Sequence, residues 1–355
     1  MTSSRRFQIG RAVPSWALTV WTLVVPLAAV WVFASVMSSL SAAAAIDLGY
    51  ALTNMIVVVA LWTFIGNSGV LSFGHIAFVA LGAWTMSLLT VSPMVKTSTM
   101  PGLFPFLAQA SLDPLTALLL AALVGGIAAL ISGFALMRLN GLEAGVATFA
   151  LLMVVVQVLT YASAIGPKSG QSITGIPRAF DLQGLLLLTL VVIVVAWAFG
   201  RTRSARMLRA SRENVLAAPA SGVNVTRHRI IAFTVSGALA GVGGAVWAQT
   251  NSVVQASQFG LDFTFTTIAM LVIGGMFSLW GAVLGTIVIA TLSHFVGVLE
   301  QGIQIAGLVV TVPSGSRLVV VAAFMVAILV LRPSGITGGR EATWPWRARD
   351  PFSAK

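Results

Sequence analysis

Cysteine is absent from this chain of 355 residues. Disulfides, thiolate metal ligands and thiol nucleophiles are excluded together, while the redox compartment stays open. Charge is scarce too: Asp, Glu, Lys and Arg make up 8% of residues, against about a quarter in soluble domains. A phosphate-cradling G-x-x-x-x-G-K-[ST] loop needs a Gly-Lys dipeptide, and none occurs, so no ATPase site is expected in this chain. His75, His228 and His294 lie far apart, none opens an H-E-x-x-H pattern, and no G-x-S-x-G elbow is present. Neither catalytic residues nor a metal site are expected. None of the nine acids falls in the middle of an apolar run. Ion-coupled carriers keep carboxylates at membrane depth because the charge serves transport there, so that class is disfavoured.

What is present is apolar: 58% of residues are hydrophobic and the mean hydropathy is +0.98. The runs recur near the roughly 20 residues that let a helix cross a bilayer, and they lack the alternation of lipid-facing strands. The fold class expected is an all-α integral membrane protein of about ten transmembrane helices, eight at the fewest, with one or more of them broken. The spans read as 16–38, 48–65, 70–91, 115–137, 143–162, 184–200, 230–250, 264–277, 279–298 and 315–331. The eighth is short, so it and the ninth form a hairpin or one bent helix. Arg5, Arg6 and Arg11 precede an apolar stretch too long for a signal core, which reads as an uncleaved first span.

Charge placement sets the orientation. With both termini cytoplasmic, 16 of the 20 basic residues lie inside, and Lys96, Lys168, Arg178 and Arg317 alone lie outside or at outer span ends. The chain divides into a cytoplasmic tail (1–15), a transmembrane domain (16–331) holding a cytoplasmic loop (201–229), and a second cytoplasmic tail (332–355), expected to be disordered or at the membrane surface. The segments 92–114 and 163–183 carry several prolines and read as ordered outer turns or short helices.

The 201–229 loop is the most basic inner connection. Ser211 is suited to cap a helix start, with Glu213 in its first turn and Gly222 in the left-handed position past its end. A short helix held between two spans would transmit a partner's motion; a helical anchor of positive charge is the simpler alternative.

Residues Arg212-Glu-Asn-x-x-Ala-Ala-x-x-x-Gly222-Val-Asn-Val-Thr-Arg227 and Ser236-Gly-Ala-Leu-Ala-Gly-Val-Gly-Gly-Ala245 resemble the permeases of branched-chain amino-acid ABC importers, of the LivM type. Gly69-Val-Leu-Ser-Phe-Gly-His-Ile-Ala-Phe78, Gly274-Gly-Met-Phe-Ser-Leu-Trp-Gly-Ala-Val-Leu-Gly285 and Arg332-Pro-x-Gly335 are similar to the same family. The resemblance implies a prokaryotic inner-membrane location and a second related permease (LivH type). It also implies two cytoplasmic subunits that bind ATP and Mg, and an extracytoplasmic substrate-binding protein. This chain itself would hold no cofactor. Arg206, Arg209, Arg212, Glu213, Asn214, Ala217, Ala218 and Gly222 are then the expected coupling surface. Pro219 departs from the family pattern and suggests a kink or early end.

Asn67, Ser68, Ser72, His75, Thr148 and Gln157 are the candidate pathway residues, because polar and glycine-rich sequence at membrane depth lines cavities or meets protein. A tight turn with Ser72 and His75 bonded to neighbours is the structural alternative. Glu143 either pairs with Arg138 or an arginine of 201–212, or is a solvated acid at a helix start. Gly237, Gly241, Gly244, Gly281 and Gly285 are expected to let helices pack closely.

Overall fold

The computed structural model describes residues 15–167, 170–213, 218, 222–305, 308–310, 312–313 and 315–342. Its centre is α2 (Ala42–Ser68), a 27-residue helix in which every residue from Ala51 to Ser68 except Asn54 is buried. Ser41 starts it by accepting the Ala44 amide at 3.1 Å. Gly69 ends it in the left-handed conformation at φ 71°, returning its N–H to the Ile65 carbonyl.

Against α10 (Val225–Asn251) pack α2, α3 (His75–Thr90) and α6 (Pro114–Leu136), and α3 packs on α6 in turn. The glycines of α10 explain how its neighbours come so close. A Cβ at Gly244 would lie 1.9 Å from the Val79 carbonyl oxygen of α3, and one at Gly241 would lie 2.3 Å from the Ala121 oxygen of α6. A Cβ at Gly237 would lie 2.3 Å from the Ala129 side chain. Backbone therefore meets backbone on two sides of α10, and Ser236 Oγ donates to the Ala60 carbonyl of α2 at 2.6 Å on a third.

The remaining long helices are α1 (Ser15–Leu40), α7 (Gly141–Tyr161), α8 (Leu182–Gly200), α11 (Leu261–Gly274), α12 (Leu279–Gln301) and α13 (Ser316–Leu331), with α9 (Arg203–Glu213) between α8 and α10. Each of the ten expected spans coincides with one apolar helix. Eight described helices are long and apolar enough to cross a bilayer, and the bent pair of α3 with α4 (Pro93–Thr99) makes a ninth. The helix α13 has 16 residues. This is an all-α integral membrane protein. Apolar side chains along α6, α7 and α8, such as Leu119, Ile131, Val154 and Leu187, are more than half exposed, as a lipid- or subunit-facing surface requires.

The eighth and ninth spans form a hairpin. A Cβ at Gly274 would lie 1.8 Å from the Gly281 oxygen, and one at Gly285 would lie 1.9 Å from the Met270 oxygen, so α11 and α12 lie in direct backbone contact. Gly275 turns between them at φ 120°.

The bundle has two ends. At the α9 end lie the last turns of α2 and α8 and the first turn of α12. At the opposite end α4 and α5 (Pro105–Gln109) form the expected short helices, and two small antiparallel ladders pair β1 (Ile173–Thr174) with β2 (Val253–Val254) and β3 (Ile303–Ile305) with β4 (Leu308–Val310). Lys96 is wholly buried there, and its ammonium donates to the carbonyls of Leu88 and Leu107 at 2.8 Å and to that of Ala110.

The chain beyond α13 departs from expectation. Residues 332–342 turn back onto the α11–α12 hairpin rather than staying loose. Ile336 N–H donates to Ile273 O at 2.8 Å and Thr337 N–H to Gly274 O at 3.1 Å. Left-handed Gly335 (φ 76°) presses on Gly275, where a side chain would lie 2.7 Å from backbone atoms. The backbone groups that the hairpin turn leaves unpaired give this segment something to bind, which a composition rich in Gly, Pro and Arg does not reveal.

Candidate coupling and translocation site

Helix α9 starts earlier than expected. Thr202 Oγ1 accepts the Ala205 amide at 3.3 Å, and Ala205, Leu208 and Ser211 recur every third residue as its buried stripe. Ser211 is therefore an inner-face residue near the helix end, its hydroxyl donating to Leu208 O at 2.8 Å, and Glu213 is the last helical residue. The capping reading failed because the threonine nine residues upstream had already started the helix.

The arginines of α9 divide by face. Arg206 is exposed. Arg209 turns inward: Nη1 donates to Asn67 Oδ1 at 2.5 Å and Nη2 to Gly200 O at 2.7 Å. Arg212 lays its stem over Gly69, where a Cβ would lie 2.6 Å from its Cγ. Its Nη1 donates to Gly66 O at 3.1 Å, and its Cζ sits 4.2 Å from the Phe277 ring centroid. Two cations thus close the C-terminal ends of α2 and α8, where the helix dipoles and unpaired carbonyls favour positive charge. Burial lowers the Arg209 guanidinium from its ordinary value and the nearby Glu341 carboxylate opposes that shift. Asn214, Ala217 and Pro219 lie outside the described residues. Ala218 O accepts the Val223 amide at 3.2 Å across Gly222, which is left-handed at φ 76°.

Glu341 completes this end. Its carboxylate accepts the Leu279 amide at 2.8 Å and the Trp280 amide at 3.3 Å, and Ser278 Oγ accepts that of Gly281 at 2.9 Å. Three orphan donors of α12 are satisfied in this way. A cavity of about 350 Å³ lies between Glu341, Arg201, Arg206, Arg209, Trp62 and Trp197. The tail, α9 and four spans therefore meet in one polar cluster, and for the tail's part in it the sequence offered only Arg332-Pro-x-Gly335 as a signal.

The pathway candidates separate into a cluster and an outlier. Ser72 Oγ and His75 Nδ1 lie 2.8 Å apart, and the His75 ring is enclosed by Phe64, Phe78 and Phe233 with centroids 5.4, 5.9 and 5.1 Å away. Ser68 Oγ accepts the Val70 amide at 3.2 Å. Thr148 Oγ1 accepts the Phe73 amide at 3.2 Å and donates to Gly145 O at 2.8 Å. A Cβ at Gly74 would lie 2.3 Å from Thr148 O, so the 69–74 connection is pressed onto α7. Asn67 lines the cavity at the α9 end, whereas Gln157 is exposed on α7, away from all of these. Glu143 is exposed in the first turn of α7, and no ion pair to Arg138 or α9 forms among the described residues. The arginine that meets this corner is Arg229, whose Nη1 donates to Asn140 Oδ1 at 2.8 Å and Leu139 O at 3.1 Å.

A family model described as "Branched-chain amino acid transport system / permease component" matches residues 45–331. The chain belongs to this permease family. It is a transporter component of a prokaryotic inner membrane, crossing it several times. Over 258 residues it is 26% identical to the high-affinity branched-chain amino acid transport system permease protein LivM of Salmonella typhimurium, covering 63% of this chain and 57% of that protein. It is similar also to the autoinducer 2 import system permease protein LsrC. The Enterobacter sp. (strain 638) protein is 35% identical over 130 residues, covering 36% of this chain and 37% of its own length. That of Yersinia pestis (strain Pestoides F) is 28% identical over 225 residues, covering 61% and 63%. The chain thus spans between about a third and two thirds of the length of these relatives. No solved structure matches.

Proposed function

We propose that this permease is one of two membrane subunits of an ABC importer that carries branched-chain amino acids (leucine, isoleucine and valine) into the cell. ATP and Mg are bound by two cytoplasmic subunits, an extracytoplasmic protein delivers the solute, and a related LivH-type permease completes the pore. The observation that carries the reading is the clamping of α9 onto α2 by Arg209 and Arg212. A cytoplasmic helix fixed to the central span moves that span as a rigid body when a partner pushes on its exposed face, on which Arg206 lies. Both chain ends and α9 face the cytoplasm in this reading, in agreement with the positive-inside distribution.

The likeness to LsrC supports a second reading, in which the solute is autoinducer 2. Urea or a short amide is a further alternative within the same machine. An ion-coupled carrier finds less support, because the carboxylate that a histidine partners among the described residues, Asp47 with His294 at 2.6 Å, lies near the start of α2 rather than at mid-span.

Vesicles carrying this chain with the ABC partners encoded beside it provide the test. ATP-dependent uptake of labelled leucine is expected. Uptake driven by a proton or sodium gradient without ATP would overturn the importer. Uptake of autoinducer 2 but not leucine would transfer the reading to the second solute.

A further inference from the structure

The turn joining α11 to α12 (275–278) carries an aromatic ring where turns favour Gly, Asn, Asp or Ser. Phe277 stands 40% exposed at the α9 end of the bundle. One face of its ring meets the Arg212 guanidinium of α9, 4.2 Å from the centroid. Its base rests on the tail, where a Cβ at Gly339 would lie 3.4 Å from Phe277 Cβ. The hairpin behind the ring is stiff: α11 and α12 touch backbone to backbone, Thr337 Oγ1 donates to Gly274 O at 2.8 Å, and Glu341 caps α12. A force on the ring therefore reaches α12 instead of being absorbed in the turn.

The two grips of α9 differ in kind. It holds α2 by hydrogen bonds of fixed direction, from Arg209 to Asn67 and from Arg212 to Gly66. It meets the hairpin through the face of a ring, which attracts a cation without a directed bond, so the guanidinium can shift over it. The cavity of about 350 Å³ lies between the parts so held, with Trp62, Gly66 and Asn67 of α2 on one side and Phe277, Leu279 and Glu341 on the other. Toward their opposite ends α2 and α12 are joined, His294 Nδ1 lying 2.6 Å from Asp47 Oδ2. Two helices tied at one end and parted by a cavity at the other have their freedom at the cavity end.

We propose that Phe277 is a positioning residue of the transport cycle: Arg212 bears on its ring, so that movement of α9 swings the α11–α12 turn relative to α2 and changes the opening of the cavity between them. This rests on the importer reading above, in which partner subunits move α9. It extends the action of α9 from the span it clamps to a hairpin it only leans on.

The absence of cysteine makes the test direct. Leu71→Cys, exposed just past α2, and Arg340→Cys, exposed on the tail that lies against the hairpin, receive nitroxides in the transporter assembled with its ABC partners. Electron–electron double resonance measures their separation with and without a non-hydrolysable ATP analogue. The analogue is expected to shift the main distance by about 2 Å or more, the size of helix shifts in switching proteins. Phe277→Tyr, which keeps the ring face, should retain the shift. Phe277→Leu, which loses it, should abolish the shift, and Phe277→Met decides the matter if that variant fails to assemble. In an Arg212→Gln background Phe277→Leu should change nothing further, because the two act as a pair. A packing role alone would lower the melting temperature of Phe277→Leu and leave the shift in place, which would overturn the proposal. Uptake of labelled leucine by the parent reads the importer separately. ATP-dependent uptake with no nucleotide-linked shift overturns the swing alone, and uptake that needs no ATP overturns the importer reading.

Discussion

Arg209 Nη1 lies 2.5 Å from the side-chain oxygen of Asn67, joining α9 to the last turn of α2 across 142 residues of sequence. The same guanidinium holds the Gly200 carbonyl at the end of α8. One side chain thus links two spans to the helix that lies between α8 and α10. Removing it leaves two buried acceptors unpaired, each costing about 1–3 kcal/mol, and frees α9 to move without α2.

Arg209→Ala is therefore expected to insert and assemble but to couple poorly: uptake falls at least about tenfold, equivalent to about 1.4 kcal/mol, while ATP hydrolysis by the complex stays within about twofold. Arg209→Lys, with one compact ammonium instead of a fork, should recover uptake only in part. Paired measurement of uptake and hydrolysis checks this, and wild-type uptake by Arg209→Ala would remove α9 clamping from the mechanism.

The packing of α10 makes a second prediction. A methyl group at Gly244 would lie 1.9 Å from the Val79 carbonyl oxygen, which is backbone and has no rotamer to adopt. Gly244→Ala should force α3 and α10 apart, costing about 1–3 kcal/mol or more, and lower the yield of folded transporter. At Gly49 a methyl would meet nothing nearer than 3.8 Å, so Gly49→Ala should melt like the parent. Thermal unfolding in detergent by tryptophan fluorescence distinguishes the two, and equal melting would mean that the helices separate readily here.

Much of this architecture was legible beforehand because it is written in local signals. All ten apolar runs became helices, since bilayer-length hydrophobic stretches leave a backbone no other way to satisfy its polar groups. The small-residue pattern of α10 and of the α11–α12 hairpin pointed to close approach, and close approach is what Gly241, Gly244, Gly281 and Gly285 make. The site was less legible, because its pairs join residues distant in sequence. Nothing local tells that Arg209 meets Asn67, that Glu341 caps α12, that Lys96 fills a ring of carbonyls, or that the side-chain oxygen of Gln249 is buried without a donor. Ser211 shows the opposite error: its sequence context suits a cap, but the three-residue periodicity with Ala205 and Leu208 places it on a buried face.

Glu341 predicts a pH dependence whose sign follows from its surroundings. Burial raises its carboxyl above the ordinary value of 4.5, against the lowering effect of the Leu279 and Trp280 amides and of Arg201 and Arg209. A carboxyl that holds its proton more tightly when folded stabilises the fold below the unfolded pKa and loses that contribution as pH rises through the folded one. Glu341→Gln has no proton to lose. The melting temperature of wild type minus that of Glu341→Gln should therefore fall as pH increases from about 4.5 and level off above the raised pKa. A difference that is constant, or that grows with pH, would show that the amide and arginine partners outweigh burial.

His75 brings the pathway question to one ring. Its Nδ1 is paired with Ser72 Oγ at 2.8 Å, its Nε2 is buried without a partner, and three phenylalanine rings surround it. A residue that touches solute in transit needs an open side, and this ring has none. The expected role is packing of the 69–74 connection against α2 and α10. His75→Phe removes the unpaired nitrogen but strands the Ser72 hydroxyl, at a cost of about 1–3 kcal/mol. Ser72→Ala in the same chain removes that remaining polar atom, and replacing both partners by apolar groups is close to neutral. The double variant should therefore regain the wild-type melting temperature, with the KM for uptake unchanged within about twofold in both variants. Contact with the solute would produce the reverse pattern, a KM raised in single and double variants alike whatever their stability, and would return His75 to the pathway.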